Sequence, residues 1–205
     1  MKKFIALSLL LMAVAFQGCI VKSIHPFFND SDLVFKPEFI STWVDGEGDR
    51  WKIAPFGEKK NAYEMHWLGK GNHDVVFIAH LFQLEGNLYL DVLPYGDGQD
   101  DSGGQTLFNL HLLPTHSIAK VNKFSADEVQ IKWFNEDWLK ALFDQSRIRI
   151  SHETVLDDDP KDKNDKLYIL TAGTEELQRF IIKYGNEDEA FDTSNTVWLK
   201  LKKIG

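Results

Sequence analysis

The feature that most constrains this chain is an alternation of apolar and polar residues, renewed in short runs and broken by turn-forming clusters from Phe39 onward. ISTWVD (40–45) is followed by Gly46-Glu47-Gly48, then by DRWKIAP (49–55). FGEKK leads into NAYEMHWL (61–68), and GKGNH into DVVFIAHLFQL (74–84). Glu85-Gly86 makes a tight connection to NLYLDVLP (87–94). Successive side chains of an extended backbone point to opposite faces. Tyr63, Met65 and Trp67 therefore share one face, and Ala62, Glu64 and His66 the other. Leu88, Leu90 and Val92 oppose Tyr89, Asp91 and Leu93 in the same way. Short strands of β-branched and aromatic residues at this spacing predict an antiparallel meander that closes as a barrel or packs as a sandwich.

The second half resumes the pattern after a glycine- and aspartate-rich loop, YGDGQDDSGGQ (95–105). TLFNLHLL (106–113), THSIAKVNKF (115–124) and EVQIKWF (128–134) read as strands. Asn135 is placed to cap a helix EDWLKALFD, whose apolar stripe is Trp138, Leu139, Leu142 and Phe143. RIRISHETV (147–155) and LYIL (167–170) read as strands around the solvated loop DDDPKDKNDK (157–166). Thr174 is expected to cap TEELQRFIIKYG, with the permissive backbone of Gly185 at its end. NTVWLKLKK (195–203) closes the pattern with Val197, Leu199 and Leu201 inward. The expectation is a mainly β protein, a barrel-like antiparallel meander of about ten strands with two short α-helices.

The N-terminus obeys a different rule. Met1-Lys2-Lys3 is cationic, and Phe4 to Phe16 is an uncharged, almost wholly apolar run of thirteen residues. That suits a signal segment; a spanning helix needs roughly 20 apolar residues. Gln17-Gly18-Cys19 follows, with a small residue directly before the only cysteine of the chain. The arrangement resembles the lipobox of bacterial lipoprotein precursors, although Phe16-Gln17 stands where leucine and a small residue are commonest. The resemblance implies that residues 1–18 are removed and that Cys19 carries diacylglycerol and a further, palmitate-type acyl chain. One acyl chain binds a bilayer only marginally, whereas two or more hold firmly. Ile20-Val21-Lys22-Ser23 carries no aspartate of the inner-membrane retention kind and no acidic export run. The expected address is the cell envelope, lipid-anchored and periplasm-facing.

Residues 19–38 read as the lipidated cysteine and a short tether, and 39–205 as a single globular domain. Phe27, Phe28, Leu33 and Phe35 are too apolar for a free linker, so part of the tether is expected to pack. The chain has a net charge of −8, and loss of Lys2 and Lys3 with the signal makes the remainder more acidic still. Such a chain has no electrostatic footprint for nucleic acid.

Two further resemblances bear on the fold. Thr42-Trp43 at the opening of the first long strand resembles the Gly-x-Trp start of lipocalins, with Ser41 in place of the glycine and Lys200, Lys202 and Lys203 where an arginine would cover the tryptophan. The stretches TWVDGEGDRWKI, AHLFQLEGNLYLDVLP, LHLLPTHSIAKV and LTAGTEELQRFIIKYG are similar to uncharacterised lipoproteins of Bacteroidetes and neighbouring phyla. That similarity implies a lipobox and a β-rich fold.

The residues that carry chemistry form no established catalytic motif. His80, His111 and His116 fall on or beside predicted neighbouring strands, and three imidazoles together are a zinc-type ligand set. This defines one reading, a periplasmic hydrolase or metal-dependent enzyme. Asp97, Asp100 and Asp101, and likewise Asp45, Glu47 and Asp49, depart from the EF-hand template and read as solvated turns. Carboxylate pairs such as Asp91 with Glu64 are of the kind that glycoside chemistry uses. Serines lack a nucleophile-elbow context, and no cofactor motif is present. Most of the six tryptophans read as core, with Trp43 and Trp67 as candidates to line a cavity or its rim beside His80, His111 and His116. The leading expectation is a non-enzymatic, membrane-anchored domain that binds a small apolar ligand or an envelope protein, or serves structurally.

Overall fold

The computed structural model describes residues 20–57, 59–69, 74–96, 112–156, 166–191 and 198–204. The expected signal, Cys19, the loop 97–105, His111 and the acidic loop 157–165 lie outside the described residues.

The meander is present in the predicted order except for the expected strand 106–113, whose residues 106–111 lie outside the described residues and whose Leu112 and Leu113 are not in a strand. Strands β2 (Ser41–Val44), β3 (Arg50–Pro55), β4 (Tyr63–Leu68), β5 (Asp74–Leu84), β6 (Asn87–Tyr95), β7 (Ser117–Phe124) and β8 (Glu128–Trp133) follow one another antiparallel. A last strand, β11 (Trp198–Lys203), pairs with both β8 and β2 and closes an eight-stranded barrel. β5 and β6 are joined by Glu85 and Gly86, both at positive φ (46° and 79°), the two-residue turn whose twist matches that of the strands. Asn122 marks a register shift between Val121 and Lys123, bending β7 against β8.

An eight-stranded barrel has an interior just wide enough to be filled by side chains. Here Trp43, Ile53, Tyr63, Met65, Leu81, Leu90, Ile131 and Leu201 fill it, each at 2% exposure or less. Phe39, from a 3-10 turn over Pro37–Phe39, plugs one end and packs edge-on against Tyr63 at 5.2 Å. The Trp43 indole donates to the Phe39 carbonyl at 3.0 Å, and the Lys203 ammonium lies 5.9 Å over its ring.

A second core lies on the outside of the barrel. Phe82, Leu84, Tyr89 and Ile118 leave the wall outward and are covered by α1 (Glu136–Asp144) and α2 (Thr174–Tyr184). A three-stranded sheet of β1 (Lys22–Ser23), β10 (Lys166–Leu170) and β9 (His152–Leu156) completes the cover. Leu81 and Phe82 are sequence neighbours that serve different cores, as the period of two requires. α1 is capped by Asn135, whose Oδ1 accepts the Trp138 amide at 3.2 Å, and its apolar stripe is the predicted one.

Several local expectations change. Thr174 is the first residue of α2, with Gly173 as its cap; the Thr174 hydroxyl instead donates to the Pro26 carbonyl at 2.9 Å. Gly185 keeps a right-handed φ of −68°, so its glycine is required by space: a Cβ there would lie 2.5 Å from the Ile181 carbonyl and 2.8 Å from the Tyr89 hydroxyl. Of the expected strand 147–155, only His152 onward pairs. The stretch 20–38 packs from its first described residue: Ile20 bridges Asn135, and Val21 and Phe27 are buried at 1% and 0%. The Val34 amide donates to Leu81 at 2.8 Å. Among the described residues, no helix is long and apolar enough to cross a membrane.

Candidate functional site

The predicted histidines converge in part. His80 on β5 and Asp91 on β6 are direct cross-strand partners, and Asp91 faces Ile118 on β7. All three side chains point out of the barrel, onto the path of residues 21–28. Asp91 is fully buried. Its Oδ2 accepts the Phe27 amide at 3.0 Å, and its Oδ1 lies 2.7 Å from Nδ1 of His116. With Asp91 as a carboxylate, Nδ1 carries the hydrogen and the imidazole is held in one tautomer. The backbone of His116 is pinned too, exchanging 2.9 Å and 2.8 Å hydrogen bonds with Ser23.

A carboxylate taken out of water costs several kcal/mol unless donors replace the water. The two donors here are a backbone amide of the N-terminal segment and an imidazole, so the segment and the wall satisfy each other. His80 sits beside this pair, its ring 4.5 Å from that of Phe28. Its Nδ1 is buried without a hydrogen-bond partner. Burial lowers the His80 pKa below the ordinary imidazole value, with His116 and Lys59 adding to the effect and Asp91 and Asp30 opposing it. His80 is therefore neutral at pH 7.

An aspartate orienting an imidazole is half of a nucleophile-activating arrangement. The other half is missing among the described residues. The hydroxyl of Ser23, whose backbone pairs with His116, donates to the His25 carbonyl at 2.8 Å and accepts the His25 amide at 3.2 Å. The geometry is that of a latch between the N-terminal segment and the barrel. Nor does a metal set form: among the described residues no three His, Cys, Asp or Glu side chains are grouped to hold an ion, and His111 lies outside them.

The remaining candidates fall elsewhere. Trp43 is part of the filled interior. Trp67, on the inward face of β4, lies at the barrel end opposite Phe39, and its ring covers Gly69, where a Cβ would come within 2.8 Å. Glu64 contacts His66 at 2.8 Å on β4, a strand away from Asp91. Asp45 takes the Glu47 and Asp49 amides on Oδ1 and the Trp51 indole on Oδ2, so its oxygens serve the turn.

What the sequence hid was the partnership of Asp91 with Phe27, 64 residues apart. The one local hint was an aspartate within the apolar run of β6. Comparisons with family models, with curated proteins and with solved structures return no match for this chain.

Proposed function

We propose that this chain is a lipid-anchored, periplasm-facing envelope protein whose body acts by binding or by shape, without catalysing a reaction. The anchor is diacylglycerol on the sulfur of Cys19, attached before residues 1–18 are cut away. The observation that carries this reading is the junction at Ile20. The residue after Cys19 already bridges Asn135, and the next, Val21, is 1% exposed. An acylated Cys19 thus leaves the body almost no leash, and the barrel with its helical cover sits directly at the bilayer. The filled interior favours the outer surface for ligand or partner binding.

Mass spectrometry of the N-terminal peptide from native membranes tests the anchor. The expected species begins at Cys19 with diacylglycerol on sulfur, and Cys19→Ala abolishes both cleavage and detergent-phase partition. An unmodified thiol, or a retained leader in the wild-type protein, overturns the reading.

A further inference from the structure

The chain carries a net charge of −8, yet four cations gather along one groove. One wall is the extended segment after α1, redirected by Ser146 at a φ of 54° and tied back by the Arg147 amide to Leu142 at 2.9 Å. In Arg147-Ile148-Arg149-Ile150 the isoleucines enter the outer core and both guanidinium groups stay in solvent. The facing wall is α2, where Arg179 and Lys183 stand four apart on one side. Phe180 and Tyr184 form an aromatic floor, and the groove, open to solvent along its length, has a volume of about 370 Å³.

Among the described residues these cations have few counter-charges. Neither Arg147 nor Arg149 meets a carboxylate among the described residues. Arg179 reaches Glu175 only at 4.0 Å with both side chains largely exposed, a pair of little value. Glu176, the groove's one carboxylate, accepts the Ser151 amide at 3.3 Å, while the Lys183 ammonium lies 4.7 Å over the Tyr184 ring. A cleft lined by one sign of charge concentrates the opposite ion. Three guanidinium forks and an ammonium offer more donors than the two oxygens of a carboxylate accept, whereas a phosphate presents three.

We propose that this groove binds a phosphate-bearing small molecule or headgroup, its anion held by Arg147, Arg149 and Arg179 and its uncharged remainder lying on Phe180 and Tyr184. The site stands on the groove's own charge and shape, independently of lipid on Cys19. Its test therefore uses residues 20–205, which hold every contact described above. Calorimetric titration with inorganic phosphate and glycerol 3-phosphate is one arm; co-sedimentation with vesicles containing phosphatidic acid, a phosphomonoester, or phosphatidylcholine alone is the other. The Arg147→Gln/Arg149→Gln variant is expected to lose about tenfold or more in affinity, since each charge-assisted contact is worth at least that factor. Lys52→Gln/Lys202→Gln, on the distant barrel wall, retains wild-type affinity. Binding of soluble phosphates identifies a free ligand. Binding confined to phosphatidic acid vesicles and lost in the arginine variant identifies a lipid headgroup, and both outcomes support the site. Absence of binding in both arms, or binding that the arginine variant leaves unchanged, overturns it. Arg179→Gln, a single exposed change, gives the same reading should the double variant fold poorly.

Discussion

Asp91 and His116 face each other across 2.7 Å at the edge of the outer core, and the same carboxylate takes the amide of Phe27. One buried side chain thus fixes an imidazole, the start of β7 and the crossing of the N-terminal segment. Removing it leaves an amide and a ring N–H without partners in a dry site.

Asp91→Ala is accordingly expected to lower the unfolding free energy by about 3 kcal/mol, the order of cost of leaving two buried donors unpaired. Urea denaturation reads the loss. Limited proteolysis of the folded variant should cut between residues 24 and 36, where the wild type resists. An unchanged midpoint would show that the latch contributes nothing.

His80 gives stability a pH dependence of known sign. Its folded pKa lies below 6.5, so the unfolded chain binds the proton more readily. The contribution is fully present above about pH 6.5, the unfolded value, and is lost as pH falls through the folded value. Thermal unfolding from pH 7.5 to 5 should show a declining midpoint. His80→Phe, which keeps the ring packing against Phe28, should flatten that decline relative to wild type. Equal slopes would remove His80 from the account.

Gly185→Ala is expected to cost about 2 kcal/mol, because the added methyl meets the Ile181 carbonyl and the Tyr89 hydroxyl inside contact distance. Tyr89 is too enclosed to give way easily, and burial pushes its hydroxyl pKa up to about 12. Gly46→Ala, with nothing within 4 Å of its Cβ, should stay within about 0.5 kcal/mol of wild type. Chemical denaturation of the two variants side by side separates crowding from a generic glycine effect.

Leu81→Ala and Phe82→Ala probe the two cores from adjacent positions. Each side chain is fully buried, and the expected losses are about 3 and 4 kcal/mol respectively. Because both residues ride on β5, each variant should still unfold in one transition by fluorescence and by circular dichroism. Two separated transitions in either variant would mean that barrel and cover fold as independent units.

The alternation along β4 and β6 separates the two faces of each strand without knowledge of its pairing, since neighbouring side chains of a strand must face opposite ways. The Asn135 cap and the stripe of α1 were equally legible, because a cap and its helix lie within one turn of chain. Gly185 ends α2 as its position predicts, but the reason for a glycine there, like the true role of Thr174, depends on a distant neighbour: the Tyr89 hydroxyl and the Pro26 carbonyl respectively. His80 and His116 stand out in the sequence by their chemistry, whereas Asp91, the cross-strand partner of one and the hydrogen-bond partner of the other, carries no local motif for that role.

The sequence by itself determined the periods, the turns and the caps, all set by forces that act between residues a few positions apart. Tertiary structure alone decided that β11 slips between β8 and β2 to close the barrel, and that one outward face becomes a second core. It also decided that residues 20–38 belong to the body, and that Arg147 and Arg149 meet Arg179 and Lys183 across one groove. These outcomes depend on which distant surfaces exclude water from each other and which buried charges find donors. Such choices minimise the free energy of the whole chain and leave no short-range periodicity behind.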